Sequence, residues 1–341
     1  MRVLYLNYGP SADGLEAKTF GDFANISFHK GPGDPADPAP AAFMAEASGI
    51  ISGSAQHDVG PVDQYPNCRI IVRMGVGYDN LDVAAWAARG VPVCNVPDYG
   101  TTEVADHAVS LMLTLARGTA YYHQRLAADP VGNWGWAPGA PLMRRLRGGV
   151  FGVVGLGRIG LAAARRAAGF DMEVIFYDPH QPNGMELAVG YRRVHSLAEL
   201  MAQSDAVSLH APLSDETRHI INAEALSHAK KDLILINTAR GPLVDLDALY
   251  DALKSGRIGG AALDVLPHEP PVPTPKLLTA LAAGEDWIKD RLLLTPHAAF
   301  FSPPANIDIR RKAAEVVLYY LRDGRLTNCV NLELLRKNSK A

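Results

Sequence analysis

The chain has 341 residues, enough for two domains that each bury a core, and its 48% hydrophobic and 20% charged content is that of an ordinary soluble α/β protein. A formal net charge of −3 gives no electrostatic reason to expect nucleic acid or a membrane surface as a partner, and no apolar run approaches the ~18–20 residues that span a bilayer. Cys68, Cys94 and Cys329 are odd in number and widely spaced, so they read as reduced cytoplasmic thiols in or near the core rather than as a disulfide frame. The eleven histidines show no H-E-x-x-H or C-x-x-C spacing, and no metal is expected.

The opening Met1 to Asn7 is too short and too soon polar for a secretory signal and reads as a first strand. Further short strands are expected at Gly49 to Ser52, Arg69 to Val72 and Pro92 to Cys94, with helices at Ala39 to Ala47 and Val83 to Ala88. Lys30 to Pro40, rich in Gly and Pro, reads as a loop. Thr101 to Arg117 is a long helical pattern carrying Val104, Ala108, Leu111, Met112 and Leu115 on one face. Trp134 to Gly139 breaks the chain. Beyond it, strands at Val150 to Val154, Glu173 to Tyr177, Ala206 to Leu209, Leu233 to Ile236, Gly260 to Asp264 and Leu292 to Leu294 alternate with helices at Leu197 to Gln203, Asn222 to Ala229 and Asp245 to Ser255. Such alternation predicts a doubly wound parallel sheet. A final helix, Ile307 to Leu321, follows that sheet and is expected to return to the first domain, making it discontinuous.

The strand at Val150 runs into Gly155, Gly157 and Gly160, a G-x-G-x-x-G turn opening a helix. The first glycine permits a tight turn, the second lets the backbone approach a pyrophosphate, and the third lets helix and strand pack closely. The helix start then offers its amides and dipole to phosphate. Asp178 ends the next strand, where a carboxylate accepts hydrogen bonds from both hydroxyls of an adenosine ribose and repels a 2′-phosphate. NAD is therefore the expected cofactor, in preference to NADP.

Ligands of an open α/β sheet lie outside the carboxyl ends of its strands. Arg240, Glu269 and His297 each follow such an end. A guanidinium can hold a substrate carboxylate in a fork, and an imidazolium can protonate a carbonyl oxygen as hydride arrives. A carboxylate can orient that ring and keep a proton available near neutral pH. The three together suit reduction of a 2-keto acid. Taken singly, each also fits a plain loop or turn position.

Asn237 to Gly241 with Val244-Asp245, Ala262 to Val265 with Glu269-Pro270, and Thr295 to Ala299 follow Gly155 to Gly160 in order. Together these motifs resemble the NAD-dependent D-2-hydroxyacid dehydrogenases over about residues 60–335. Arg73 to Asn80, Val93 to Pro97, Phe176 to Pro179 and Asn328 to Asn331 are most similar to the C-terminal-binding-protein branch of NAD-binding corepressors and their bacterial relatives. The resemblance implies a Rossmann domain over 99–301, including a dimerisation helix and arm. It also implies a smaller, discontinuous, flavodoxin-like substrate domain over 1–98 and 302–341. It implies that Arg240 binds the substrate carboxylate, that His297 is the acid/base and that Glu269 is its partner. It further implies that backbone amides near Val76 and Gly77 meet the carboxylate and that Phe300 lies beside the substrate. It implies that Arg158 and Ile159 join the glycines at the pyrophosphate and that Asp178 takes the ribose. Further cofactor contacts are implied from Pro212 to Thr217, from Thr238 and Ala239, from Asp264 near the carboxamide, and from Arg240 and His297 themselves. Family members are usually homodimers.

Three features depart from the pattern. Pro270 to Arg291, with Trp287, is long and is expected over the cleft or on the outer surface. Phe300 and Val76 stand where the corepressor branch has a tryptophan and a serine, which leaves the substrate side chain open. His107, beside Asp106, is expected to be structural, and His268 exposed. His210 fits a cofactor loop as well as a packed strand end. Arg144, Arg145 and Arg147 read as a solvated turn, and Trp134 and Trp136 as interface or arm-packing residues. Competing functions are an NAD(H)-sensing scaffold with weak turnover, against which the chain shows no long tail past Asn331, and an oxidoreductase on phosphite or formate. Glu269, where a formate enzyme has glutamine, argues against formate.

Overall fold

The computed structural model describes residues 1–29, 40–53, 59–136 and 141–338. The expected Lys30 to Pro40 loop thus lies outside the described residues except for Pro40, as does the end of the Trp134 to Gly139 break. The chain forms two compact units, Met1–Gly100 with Phe301–Ala341, and Thr101–Phe300.

The first unit contains β1 (Arg2–Leu6), α1 (Leu15–Phe20), β2 (Asn25–His29), α2 (Ala41–Glu46), β3 (Ala47–Ser52), β4 (Ile70–Arg73), α3 (Val83–Ala88) and β5 (Val93–Asn95). Its five strands pair in parallel in the order β2-β1-β3-β4-β5. The expected helix at Ala39 to Ala47 is shorter, and Ala47 already belongs to β3. Edge strand β2 and the short α1 have no apolar run long enough to announce them. The second unit contains α4 (Thr101–Arg117), α5 (Thr119–Ala128), β6 (Val150–Val154), α6 (Arg158–Ala168), β7 (Glu173–Tyr177), α7 (Met185–Val189), β8 (Arg192–Arg193), α8 (Leu197–Gln203), β9 (Ala206–Leu209), α9 (Ala223–Ser227), β10 (Ile234–Asn237), α10 (Leu246–Lys254), β11 (Gly260–Leu263), α11 (Lys276–Ala282) and β12 (Leu292–Leu294). After it, α12 (Pro303–Asp323) and α13 (Leu332–Asn338) belong to the first unit.

The second sheet is parallel in the order β12-β11-β10-β9-β6-β7-β8. Its strands, the edge pair β8 apart, are largely apolar on both faces because both are covered. On β10, Ile234 and Ile236 pack with α4 and α6 residues such as Met112 and Ala163, whereas Leu235 packs with Leu200, Leu249 and Leu277 from α8, α10 and α11. The face of α4 read from its periodicity is buried, Val104 to Leu115 included. In the first unit, α12 buries Ile309, Ala313 and Val317 against one face of the sheet while Trp86 of α3 fills the other. Ser302 caps α12 by accepting from Ala305 N, and Pro303 stands at its first helical position, where no N–H is needed.

The 270–291 segment packs within the second unit. Leu277 and Ile288 are buried, and the Trp287 ring meets Tyr250 of α10 edge-on at 5.2 Å. Arg144 corrects the reading of a solvated turn: its guanidinium donates to the Leu142 and Asp232 carbonyls and pairs with the Asp232 carboxylate at 3.4 Å, while Arg145 and Arg147 are exposed. Among the described residues, no helix is long and apolar enough to cross a membrane, and no cluster of three metal-ligating side chains forms.

Candidate active site

Parallel pairing puts the carboxyl ends of all seven strands of the second sheet on one edge. The loops there carry, in strand order, Asp178 after β7, the glycine turn after β6, His210 to Thr217 after β9, Arg240 after β10, Glu269 after β11 and His297 after β12. The chain reverses its winding between β6 and β9, the position where such sheets open a crevice. Three strand spacings, about 14 Å, separate β7 from β10.

The glycine turn is built as its spacing predicts. Gly155 has φ +89°, and an added Cβ would stand 2.7 Å from Ala211 N. A Cβ on Gly160 would fall 2.1 Å from the Gly155 carbonyl oxygen, so the close start of α6 on β6 depends on its absence. A Cβ on Gly157 would meet nothing within 4 Å, which leaves the backbone there open to a ligand. Arg158 begins α6 and is exposed, with Ile159 half-buried beside it. Asp178 accepts from Leu156 N at 2.8 Å and His180 N at 3.0 Å, so the carboxylate is anchored to the glycine turn itself. Thr217 donates to the Pro212 carbonyl at 2.6 Å and closes the turn after β9. Ala239 N donates to Asn237 Oδ1, and the Thr238 hydroxyl is buried without a protein partner, a polar atom that a bound group would satisfy. Open glycine backbone, an anchored carboxylate and this orphaned hydroxyl together fit a dinucleotide along the edge.

Glu269 and His297 form a close pair at this edge. His297 Nδ1 lies 2.6 Å from Glu269 Oε2, and Glu269 Oε1 accepts from Leu266 N at 2.8 Å. Both oxygens are thereby fixed, and so is the ring plane. His297 stands at φ +54°, a backbone conformation that costs a non-glycine residue energy and needs support. Asp264 gives that support. Its buried carboxylate accepts from Thr295 Oγ1 at 2.6 Å, Ala298 N at 2.8 Å and Ala299 N at 3.0 Å, and its carbonyl accepts from His297 N at 2.7 Å. The Phe300 ring stands edge-on to His297 at 6.2 Å. Arg240 Nη1 donates to the Ala239 carbonyl at 2.8 Å. The next residue, Gly241, packs so closely on the turn leading to Glu269 that a Cβ would lie 1.9 Å from Leu266 C. Glu269, Asp264, Phe300 and His297 therefore form one connected cluster, and Gly241 brings the Arg240 turn against it. Val76 and Gly77 stand in the first unit, half-buried on the turn after β4.

Two histidines carry more than their sequence signal. His107 of α4 approaches Thr295 Oγ1 at 3.1 Å and Asp264 Oδ1 at 3.7 Å, and so joins the support of the His297 turn. Its partners are far along the chain, and no local pattern reveals them. His210 lies 2.9 Å from the buried Ser208 hydroxyl, and loss of hydration pushes its imidazole down to about 4, so it stays neutral at physiological pH. His268 is exposed.

Residues 109–299 match the family described as D-isomer specific 2-hydroxyacid dehydrogenase, NAD binding domain. A glyoxylate reductase of Korarchaeum cryptofilum (strain OPF8) is 38% identical over 273 residues, 80% of this chain and 78% of that protein. C-terminal-binding protein 1 of Caenorhabditis elegans is 35% identical over 285 residues, which are 82% of this chain but only 38% of that longer relative. The crystal structure of D-lactate dehydrogenase from Aquifex aeolicus, complexed with NAD and lactic acid, superposes with a TM-score of 0.79 at 28% identity, over 98% of each chain. The chain belongs to the D-isomer specific 2-hydroxyacid dehydrogenase family and contains its NAD-binding domain.

Proposed function

We propose that the protein is an NAD-dependent oxidoreductase that interconverts a 2-keto acid and the D-2-hydroxy acid. The observation that carries this reading is the 2.6 Å contact between His297 and a Glu269 held by Leu266 N, at the carboxyl edge of a dinucleotide-type sheet. When bound, NADH supplies a hydride for carbon 2 of the keto acid. His297 donates a proton from Nε2 to the carbonyl oxygen, and takes it back in the reverse direction. Glu269 keeps Nδ1–H engaged, which orients Nε2 and stabilises the imidazolium. Arg240 binds the substrate carboxylate through its planar fork.

Gly155, Gly157, Arg158, Ile159 and Gly160 hold the pyrophosphate, and Asp178 takes the adenosine ribose, which favours NAD over NADP. Pro212, Thr217, Thr238 and Ala239 line the remaining cofactor path, with Arg240 and His297 at its nicotinamide end. Asp264 fixes the His297 turn and has a lone pair left on Oδ2 for the carboxamide. Val76 and Gly77 are assigned to the substrate carboxylate and Phe300 to the substrate side chain by the family resemblance. On this reading the 1–98 and 302–341 segments form the substrate domain and 99–301 the cofactor domain. The working form is a cytoplasmic homodimer joined along α4 and the following arm, where Val131, Trp134 and Trp136 are more than three-quarters exposed.

The test is NADH consumption against glyoxylate, pyruvate, hydroxypyruvate and bulkier aliphatic and aromatic 2-keto acids, with chiral analysis of the product. Saturable turnover to a D-2-hydroxy acid is expected with at least one of them. A second reading, an NAD(H)-sensing scaffold with weak turnover, is favoured by the similarity to C-terminal-binding protein 1. Tight NADH binding with negligible turnover across the panel would select it.

A further inference from the structure

Cys94 and Cys329 stand directly opposite each other in an isolated antiparallel bridge between β5 and the segment after α12, all within the first unit. The flanking hydrogen bonds are Asn95 N to the Asn328 carbonyl at 3.2 Å and Val330 N to the Val93 carbonyl at 2.8 Å. The pair therefore occupies a non-hydrogen-bonded site, where Cα atoms approach to about 4.5 Å. Disulfides need Cα separations of about 4.4–6.8 Å. Each thiol is reduced here, and Cys329 Sγ donates to Asn331 Oδ1 at 3.2 Å.

We propose that Cys94 and Cys329 are a reversible redox site that closes to an intrachain disulfide under peroxide. The two sulfurs are unequally placed for this. Cys94 is fully buried and Cys329 half-buried, so oxidant reaches Cys329 first. The neighbouring Cys94 thiol pulls the Cys329 thiol down despite its partial burial, while the same pairing and burial push Cys94 far up. Cys329 is thus the nucleophile and Cys94 the resolving thiol. The Cys329 thiolate attacks one peroxide oxygen, the O–O bond breaks, and the hydroxide that leaves takes a proton to become water. Cys94 then attacks the Cys329 sulfur, the S–O bond breaks, and a second water leaves with the Cys94 proton. Two thiols lose two electrons and two protons in all, and one peroxide becomes two waters.

The closed bond would staple the C-terminal segment to β5. That segment is already docked through Asn331, which is buried, accepts from Val93 N at 2.9 Å and donates to the Val91 carbonyl at 3.1 Å. Beside Cys94, Asn95 Nδ2 donates to the Val76 carbonyl at 2.6 Å and Val96 N to the Gly75 carbonyl at 2.9 Å. The staple would therefore stiffen the turn that carries Val76 and Gly77; any effect on turnover rests on the function proposed above, whereas the disulfide itself does not. Cys68 is buried elsewhere and donates to the Ile70 carbonyl, so it is an internal control.

The experiment treats the purified full chain with hydrogen peroxide and reads it by non-reducing peptide mapping and thermal melting, neither of which requires turnover. The expected product lacks two hydrogens, joins the Cys94 and Cys329 peptides, and reverts with dithiothreitol. More than two hundred residues lie between the two cysteines, so closure should raise Tm by roughly 5–10 °C, and Cys329→Ser should lose both the link and the shift. Cys94→Ala, should it fold, should instead let Cys329 oxidise further. Sulfinic acid on Cys329 of the unaltered chain, a link to Cys68 or between two molecules, or an unchanged Tm would overturn the proposal.

Discussion

His297 Nδ1 and Glu269 Oε2 are 2.6 Å apart, and the other Glu269 oxygen is held by Leu266 N. The carboxylate cannot turn away without giving up a backbone partner, so ring and charge act as a unit. In reduction His297 must carry the proton, and kcat/KM for the keto acid should fall as pH rises. Oxidation needs the neutral ring, and its rate should fall as pH drops. Glu269→Gln keeps the shape but removes the carboxylate that holds the ring in place. Its kcat should fall in both directions while NADH affinity is kept. His297→Ala should lower kcat by about 10²–10⁴ at every pH with NADH affinity unchanged. Steady-state kinetics in both directions check this, and an unchanged kcat in Glu269→Gln would show that the two residues are not coupled.

Arg240→Lys keeps the charge and loses the fork. The lost charge-assisted hydrogen bond corresponds to about 1.5–3 kcal/mol, or a roughly 10- to 100-fold rise in KM for the keto acid. NADH affinity, measured by fluorescence titration, should hardly change. An equal loss of NADH affinity would make Arg240 a support of the turn rather than a substrate ligand.

Asp178 should make NADH the better cofactor. A 2′-phosphate facing this carboxylate loses a hydrogen-bond pair and gains repulsion, together ~2–4 kcal/mol. That predicts a preference of roughly 30- to 1000-fold in kcat/KM. Asp178→Asn should narrow it by removing the charge while keeping one oxygen for Leu156 N. Equal kcat/KM with NADH and NADPH in the unaltered protein would contradict the assignment.

Stability of the first unit should depend on acid through Arg310 of α12. Its buried guanidinium donates to Glu16 Oε1 at 2.6 Å and to Asp13 Oδ2 at 3.0 Å, and also to the Ser11 hydroxyl. Burial alone would push the Glu16 carboxyl up, but hydrogen bonds from Arg310 and Ser11 bring it below the ordinary value of 4.5. Arg310 and Ser11 likewise hold Asp13 well below 3.8. Folded-state values below unfolded ones mean that the stabilisation is complete above the ordinary carboxylate range and is lost as pH falls from there through the lowered folded-state values. Arg310→Met should cost about 3–5 kcal/mol at neutral pH by leaving Glu16 buried without its partner, and the double variant with Glu16→Leu should recover much of that. Urea unfolding at neutral and acid pH measures both effects.

The second sheet was legible because strands covered on both faces read as continuous apolar runs, as at Leu233 to Ile236, and because its helices begin at Ser196, Asn222 and Asp245, each of which caps by accepting a backbone amide. Edge positions were harder. Strand β2 is only half-buried and β8 is the pair Arg192–Arg193, so neither shows an apolar signature. Around the candidate site, the motifs placed Glu269 and His297 at neighbouring strand ends, but their side-chain contact follows from the fold. The part of His107 and the bridge between Cys94 and Cys329 were illegible because each joins residues far apart in the chain, and neither type of residue carries a local pattern. Arg144 misled because a run of arginines reads as solvated, whereas backbone carbonyls at the start of the sheet hold this one.

Hydride transfer itself is read by following deuterium from NADH labelled at both C4 positions into the product of a small 2-keto acid. The expected product is a D-2-hydroxy acid carrying one deuterium at carbon 2, formed by the unaltered protein and nearly abolished in His297→Ala. Bound NADH that passes no label to any keto acid of the panel, or label that appears undiminished without His297, would contradict it.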